Sequence, residues 1–91
     1  MLHAQGDLTS ARRLLEQAVV MRERTLGEGH PHTCRAMHHL ARVLSAQGEH
    51  REAIDLEEKA VAGLEQSLGA EHRWTVSGRR VLQDIRADML Q

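Results

Sequence analysis

The chain repeats itself at a spacing of 42 residues, and that spacing limits what it can fold into more than any single residue does. Ala4-Gln5-Gly6-Asp7 returns as Ala46-Gln47-Gly48-Glu49, Leu26-Gly27 as Leu68-Gly69, and His30 with Thr33 as His72 with Thr75. Sliding the 91 residues over themselves by 42 leaves 49 aligned pairs, of which 15 are identical. Average composition would give about three. A period of this length marks units that cannot bury their own apolar face and must stack on neighbours. Such an architecture predicts a function carried by a surface.

Length and composition exclude several classes. A chain of 91 residues is a single domain over 1–91 and buries only about 60–65% of its unfolded surface. No apolar run is long enough to span a bilayer, and no basic-then-apolar leader opens the sequence, so the expected location is cytoplasmic and no membrane partner is expected. The one cysteine, Cys34, cannot form an internal disulfide and fits a reducing compartment. A net charge of -1 and a single aromatic, Trp74, leave little for phosphate neutralisation or base stacking, so no nucleic-acid partner is expected. With no Phe or Tyr, the core must be aliphatic.

Every segment long enough to classify is helical. Leu8, Ala11, Leu14, Leu15, Ala18, Val19 and Leu26 follow three- and four-residue steps, predicting a helix over 7–26 with Asp7 as N-cap and Gly27 as stop. Pro31 suits the first turn of a second helix over 31–47, striped by Cys34, Met37, Leu40, Ala41 and Leu44 and ended by Gly48. A third, 50–67, turns Ala53, Leu56, Ala60, Val61 and Leu64 inward. A fourth, 73–90, carries Trp74, Val81, Leu82, Ile85 and Met89. No alternating β-branched run competes. The predicted fold is all-α, four helices, with connections short enough to force antiparallel neighbours.

The residues that define the repeat are small. Ala41, Ala53 and Ala60 fall where helices would cross closely, and Gly6 and Gly48 where one helix ends and the next begins. This helix–turn–helix pattern resembles the tetratricopeptide repeat. The spacing, with Leu26-Gly27-Glu28-Gly29-His30-Pro31 and Met37-His38-His39-Leu40-Ala41, resembles the longer repeat of the kinesin light chain type, in which a Leu-Gly-acidic-His-Pro linker precedes a helix reading Leu-Asn-Asn-Leu-Ala. The resemblance implies an α-solenoid fragment that acts as a non-enzymatic protein-binding module. Departures are informative too. His38 and His39 stand for the paired asparagines, Leu44 for the usual aromatic, and the second copy answers Ala41 with Gln83 and Leu44 with Arg86, polar as a terminal cap would be. Met1–Gln5 reads as the remnant of a first-type helix, so the chain reads as a fragment or minimal member of a longer array.

Residues that could carry chemistry have structural readings as well. His30, His32, His38 and His39 invite a metal, but adjacent His38 and His39 diverge by about 100° on a helix and no tetrahedral set completes itself. No metal site and no cofactor is expected, and a histidine-based metal protein stays an alternative. Cys34 reads as a core residue more readily than as a reactive thiol. Trp74 is either a hydrophobic plug or an interface anchor. Glu57-Glu58-Lys59 and Glu23-Arg24 read as solvated faces. No nucleophile turn or oxyanion loop supports catalysis.

Arg35, His38 and Arg42, at i, i+3, i+7, share one side of helix 31–47, with His39 alongside. Arg80 aligns with His38 and Ser77 with Arg35 across the repeat. By resemblance these are the positions that present side chains to an extended peptide on the concave face. The alternative is that they are merely solvated. As a groove, Arg35, His38, His39, Arg42, Ser77 and Arg80 would favour an acidic peptide or a C-terminal carboxylate. Helix 7–26 has lost its first-type partner, so Leu8, Leu15 and Val19 are expected to lack cover and to pair two chains as a homodimer through the N-terminal helix. A purely structural, self-assembling fragment is the remaining alternative.

Overall fold

The computed structural model describes residues 5–90, with side chains described from Asp7 on. Four helices follow one another: α1 (Gln5–Leu26), α2 (Pro31–Ala46), α3 (His50–Leu68) and α4 (Arg73–Met89). The described residues contain no strand, so the all-α reading holds. The remnant at Met1–Gln5 lies outside the described residues except for Gln5, where α1 begins. Gly6, expected to close a preceding helix, lies inside the first turn of α1 instead.

Each connection has a local cause. Gly27 and Gly69, one repeat apart, end α1 and α3 with φ of +97° and +92°, a region open to a residue without Cβ. His30 N–H and His72 N–H then each donate to the carbonyl of that glycine at 3.4 Å, so the two copies make the same turn. The histidines have a second task. His30 Nδ1 accepts from His32 N–H at 3.1 Å, and His72 Nδ1 accepts from Trp74 N–H at 3.0 Å, capping α2 and α4. The end of α2 is a Schellman turn: Gly48 has φ +87°, Gly48 N–H donates to Ser45 C=O, and Glu49 N–H donates to Leu44 C=O at 2.9 Å.

α2 packs on α1 on one side and α3 on the other, α3 packs on α4, and α2 touches α4 along one edge. Ala41, Ala53 and Ala60 are fully buried, as a close crossing of α2 and α3 requires. Around them lie Cys34, Met37, Leu40, Leu44, Leu64 and Ile85, an aliphatic core in which each large side chain contributes about 1.5–3 kcal/mol by leaving water. Gly63 allows the closest approach. A Cβ there would run into Cys34 Sγ and lie 3.7 Å from the Gly29 backbone.

Two expectations are corrected here. The stripe expected to lie open on α1 turns inward: Val19 belongs to the core, Leu15 packs against it, and Leu8 is half-buried. The most exposed apolar side chains of α1 are Leu14 and Met21, at 65% and 64%, with Val20 and Leu26 also exposed. The repeat supplies the reason. α1 meets α2 as α3 meets α4, so its free face is the one that α3 turns to α2. That face of α3 carries Leu56, Ala60 and Gly63, and 42 positions earlier stand Leu14, Ala18 and Met21. The second correction is Glu57, expected on a solvated face and in fact fully buried.

At the other end, α4 carries arginines where α2 carries core residues. Arg79 answers Met37 and Arg86 answers Leu44. Arg79 pairs with Glu65 at 2.6 Å and Arg86 pairs with Glu58, both partners on α3. The outer face of α4 thus carries two ion pairs to α3, beside the half-exposed Val76.

Candidate functional site

α2 and α4 are both first-type helices, and their parallel faces border one groove. Its wall on α2 is Arg35, His38, His39 and Arg42, its wall on α4 is Arg73, Trp74 and Ser77, and Leu64 of α3 lies between them. The volume is about 520 Å³. Five of the six residues read from the sequence as peptide-facing line it. Arg80 does not: it is exposed on α4, one turn beyond Ser77. Arg73 was missed because repeat alignment sets it opposite Pro31, a residue without charge. Its spacing was the available signal, since 73, 77 and 80 (i, i+4, i+7) share a helix side.

The groove is organised around Trp74. The Arg35 guanidinium lies over the indole ring, 4.3 Å from its centroid, and the rings of His32 and His72 sit 5.9 and 5.4 Å away. Trp74 also packs against the core, so it is a plug that forms part of the groove wall. Arg35 Nε donates to His39 Nε2 at 3.4 Å, which requires an unprotonated Nε2. Burial, aided by the nearby His38, Arg35, Arg42 and Arg22, holds His39 below the ordinary imidazole range.

His38 differs most from its sequence reading. Its side chain is only 9% exposed and Nδ1 stands 2.7 Å from Glu57 Oε2, so much of its hydrogen-bonding capacity is turned inward. Glu57 Oε1 has no partner, and burial pushes this carboxyl upward against the opposing pull of His38 and Arg42.

Charge is distributed unevenly around the site. Among the described residues no carboxylate lies within 4.0 Å of Arg35, Arg42 or Arg73, whereas Arg79 and Arg86 on the far side of α4 are each paired. Cys34 lies in the core behind the groove, and its thiol is pushed up by burial and by the charge of Glu28. No group of three His, Cys, Asp or Glu side chains among the described residues converges to hold a metal ion. No helix among them is long and apolar enough to cross a membrane.

The family model of the tetratricopeptide repeat matches residues 1–66, about the first three of the four helices. The chain belongs to the tetratricopeptide repeat family. No curated protein matches it. As a tetratricopeptide repeat protein it is a protein-interaction module, of a kind that is typically non-enzymatic. α4 lies beyond the matched segment, but its histidine cap, glycine turn and buried Thr75 repeat those of α2, so it continues the array.

Proposed function

We propose that the groove between α2 and α4 binds an extended, acidic segment of a partner protein. The observation that carries this reading is convergence: Arg35, Arg42 and Arg73 line one groove together with Leu64 and Trp74, and among the described residues none of the three has a carboxylate within 4.0 Å. A guanidinium left unpaired beside an apolar floor has its strongest available partner in a carboxylate. Leu64 and the indole of Trp74 provide the apolar contact that an extended chain needs alongside its charges. Arg80, exposed one turn further along α4, would extend the same positive track.

So short an array offers little area, and the affinity follows from that: micromolar or weaker. Isothermal titration with an acetylated pentaglutamate peptide tests the reading. Binding should weaken about tenfold or more in Arg42→Glu, fall as salt is raised, and be absent for pentalysine. An affinity indifferent to salt and to Arg42→Glu would sink it. Cys34, single and buried, supports a reducing compartment, and we assign the cytoplasm on that basis.

A second reading, self-association through α1, is supported by the exposure of Leu14 and Met21 on one side of that helix, seven residues apart. Two-fold pairing would cover both copies of that face at once. Sedimentation equilibrium at micromolar concentration decides it. Leu14→Glu should dissociate the dimer without loss of helix, and a folded monomer of the native sequence would refute it.

A further inference from the structure

The second copy of the repeat differs from the first at two linked positions. Leu15 on α1 becomes Glu57 on α3, and Ala36 on α2 becomes Gly78 on α4. α1 and α2 meet as α3 and α4 do, so these are one contact with both partners changed. Gly78 makes the room: a Cβ there would stand 3.1 Å from Glu57 Oε2 and 2.9 Å from Val61 Cγ2. A carboxyl has been brought into the core, with space cleared for it, and it is aimed at the imidazole of a groove residue.

Its surroundings decide how it carries protons. From α2, Glu57 is faced by His38 through the 2.7 Å bond and by Arg42 at longer range, with Arg35 and His39 further along the same wall. From α4 it meets Gly78, with no charge, and the nearest cations of that helix are Arg73 and Arg80 on the groove side. Its own helix surrounds it with Ala53, Ala60 and Val61, and α1 adds Arg22, which acts on His39. Oε1 has no partner at all. A carboxylate in that position would leave a charged oxygen dry and unbonded, the costliest arrangement available.

With one proton shared between the two groups, the bond is either carboxylic acid to imidazole or carboxylate to imidazolium. In both, one hydrogen occupies the line from Nδ1 to Oε2 and the other ring nitrogen, Nε2, carries its own N–H. Only when the pair loses that proton does Nε2 become a bare acceptor. Because Nδ1 is committed to a fully buried partner, the edge of the ring left to line the groove is the Nε2 edge.

We propose that Glu57 is the specificity-determining residue of the groove: it retains a proton in its pair with His38, so that the imidazole turns an Nε2–H donor toward the groove and selects anionic oxygens. Glu57 itself never touches the ligand. It acts through His38, as a positioning residue. This inference rests on the groove being the binding site.

Long-range nitrogen–proton correlation spectra of the full chain at pH 7.5 test the first half, because the couplings report which ring nitrogen bears hydrogen. His38 Nε2 should be protonated, and its resonance should move on titration with acetylated pentaglutamate. A bare Nε2 at that pH overturns the proposal whatever the peptide does, and this measurement needs no variant. The second half is tested by Glu57→Leu, a residue that the first copy carries at this register. The variant should bind the peptide about tenfold more weakly at pH 7.5, the loss of one donor to a charged acceptor. If Arg42→Glu weakens binding and Glu57→Leu does not, this inference fails and the groove stands. If Arg42→Glu has no effect, the groove reading itself has failed.

Discussion

Replacing Gly63 with alanine places a methyl inside the van der Waals radius of Cys34 Sγ, at the point where α3 crosses the start of α2. Two effects oppose each other. Alanine is favoured over glycine in a helix interior by about 0.5–1 kcal/mol. Forcing a carbon into a filled core costs about 1–3 kcal/mol. Relief is limited, because Cys34 has one rotatable side-chain bond, is 1% exposed, and the Gly29 backbone stands 3.7 Å from the new methyl on another side. The clash should win, leaving Gly63→Ala about 1 kcal/mol less stable and lowering Tm by roughly 4–8 °C for a domain of this size. The double variant isolates the cause. Cys34→Ala removes the sulfur at a cost of about 1 kcal/mol, and in that background Gly63→Ala meets only ordinary van der Waals contact with the Gly29 backbone and should stabilise by about 0.5–1 kcal/mol. Urea and thermal unfolding of the four proteins, followed by far-ultraviolet circular dichroism, give the cycle. The substitution should change sign between backgrounds, with a coupling of about 2 kcal/mol. An equal effect of Gly63→Ala in both backgrounds would refute the packing argument. The repeat adds a control: the counterpart of Gly63 is Met21, which no helix among the described residues covers, so Met21→Ala should have little effect on a monomer.

Three further outcomes are expected. His72→Ala should lose about 1 kcal/mol in urea unfolding, because Nδ1 caps the Trp74 N–H, while His72→Asp should retain most of it. His39 is held below its ordinary 6.5, so the fold favours the neutral ring; its contribution is present above 6.5 and is lost as pH falls through that value toward the folded one. Stability measured from pH 7.5 to 5.5 should therefore decline, and His39→Gln should flatten the decline. Glu57 has the opposite sign: its carboxyl is raised above 4.5, so its contribution is present below that value and shrinks as pH rises above it, and Glu57→Leu should remove that slope.

Much of the fold was legible because it depends on local rules. Helical periodicity, Pro31 at a first turn, glycines at helix ends and the 42-residue return of Leu-Gly and His are all short-range statements, and they locate four helices without knowledge of what packs on what. Ala41, Ala53 and Ala60 announced close crossings for the same reason: a small side chain at a repeating register leaves room for a neighbouring backbone. The histidine caps were legible only as positions. That an imidazole nitrogen accepts the N–H two residues on became visible in the turn itself.

Three things were decided by tertiary structure alone. Periodicity locates an apolar stripe on α1 but not which edge of it α2 covers, and the answer reversed the expectation, burying Val19 and leaving Leu14 and Met21 outside. Glu57 sits on the inward register of α3 between Ala53 and Leu64, yet a glutamate beside Glu58 and Lys59 reads as a solvated run. Only His38 from one helix and the gap at Gly78 from another make its burial possible. Arg73 and Trp74 joined the groove through the approach of α4 to α2, a contact across some 40 residues that no local pattern encodes. A sequence determines which side of a helix is apolar. Which polar groups may be buried there, and which charges are left without a partner, depends on the groups that other helices bring to the same place, because desolvation and pairing are properties of the assembled site.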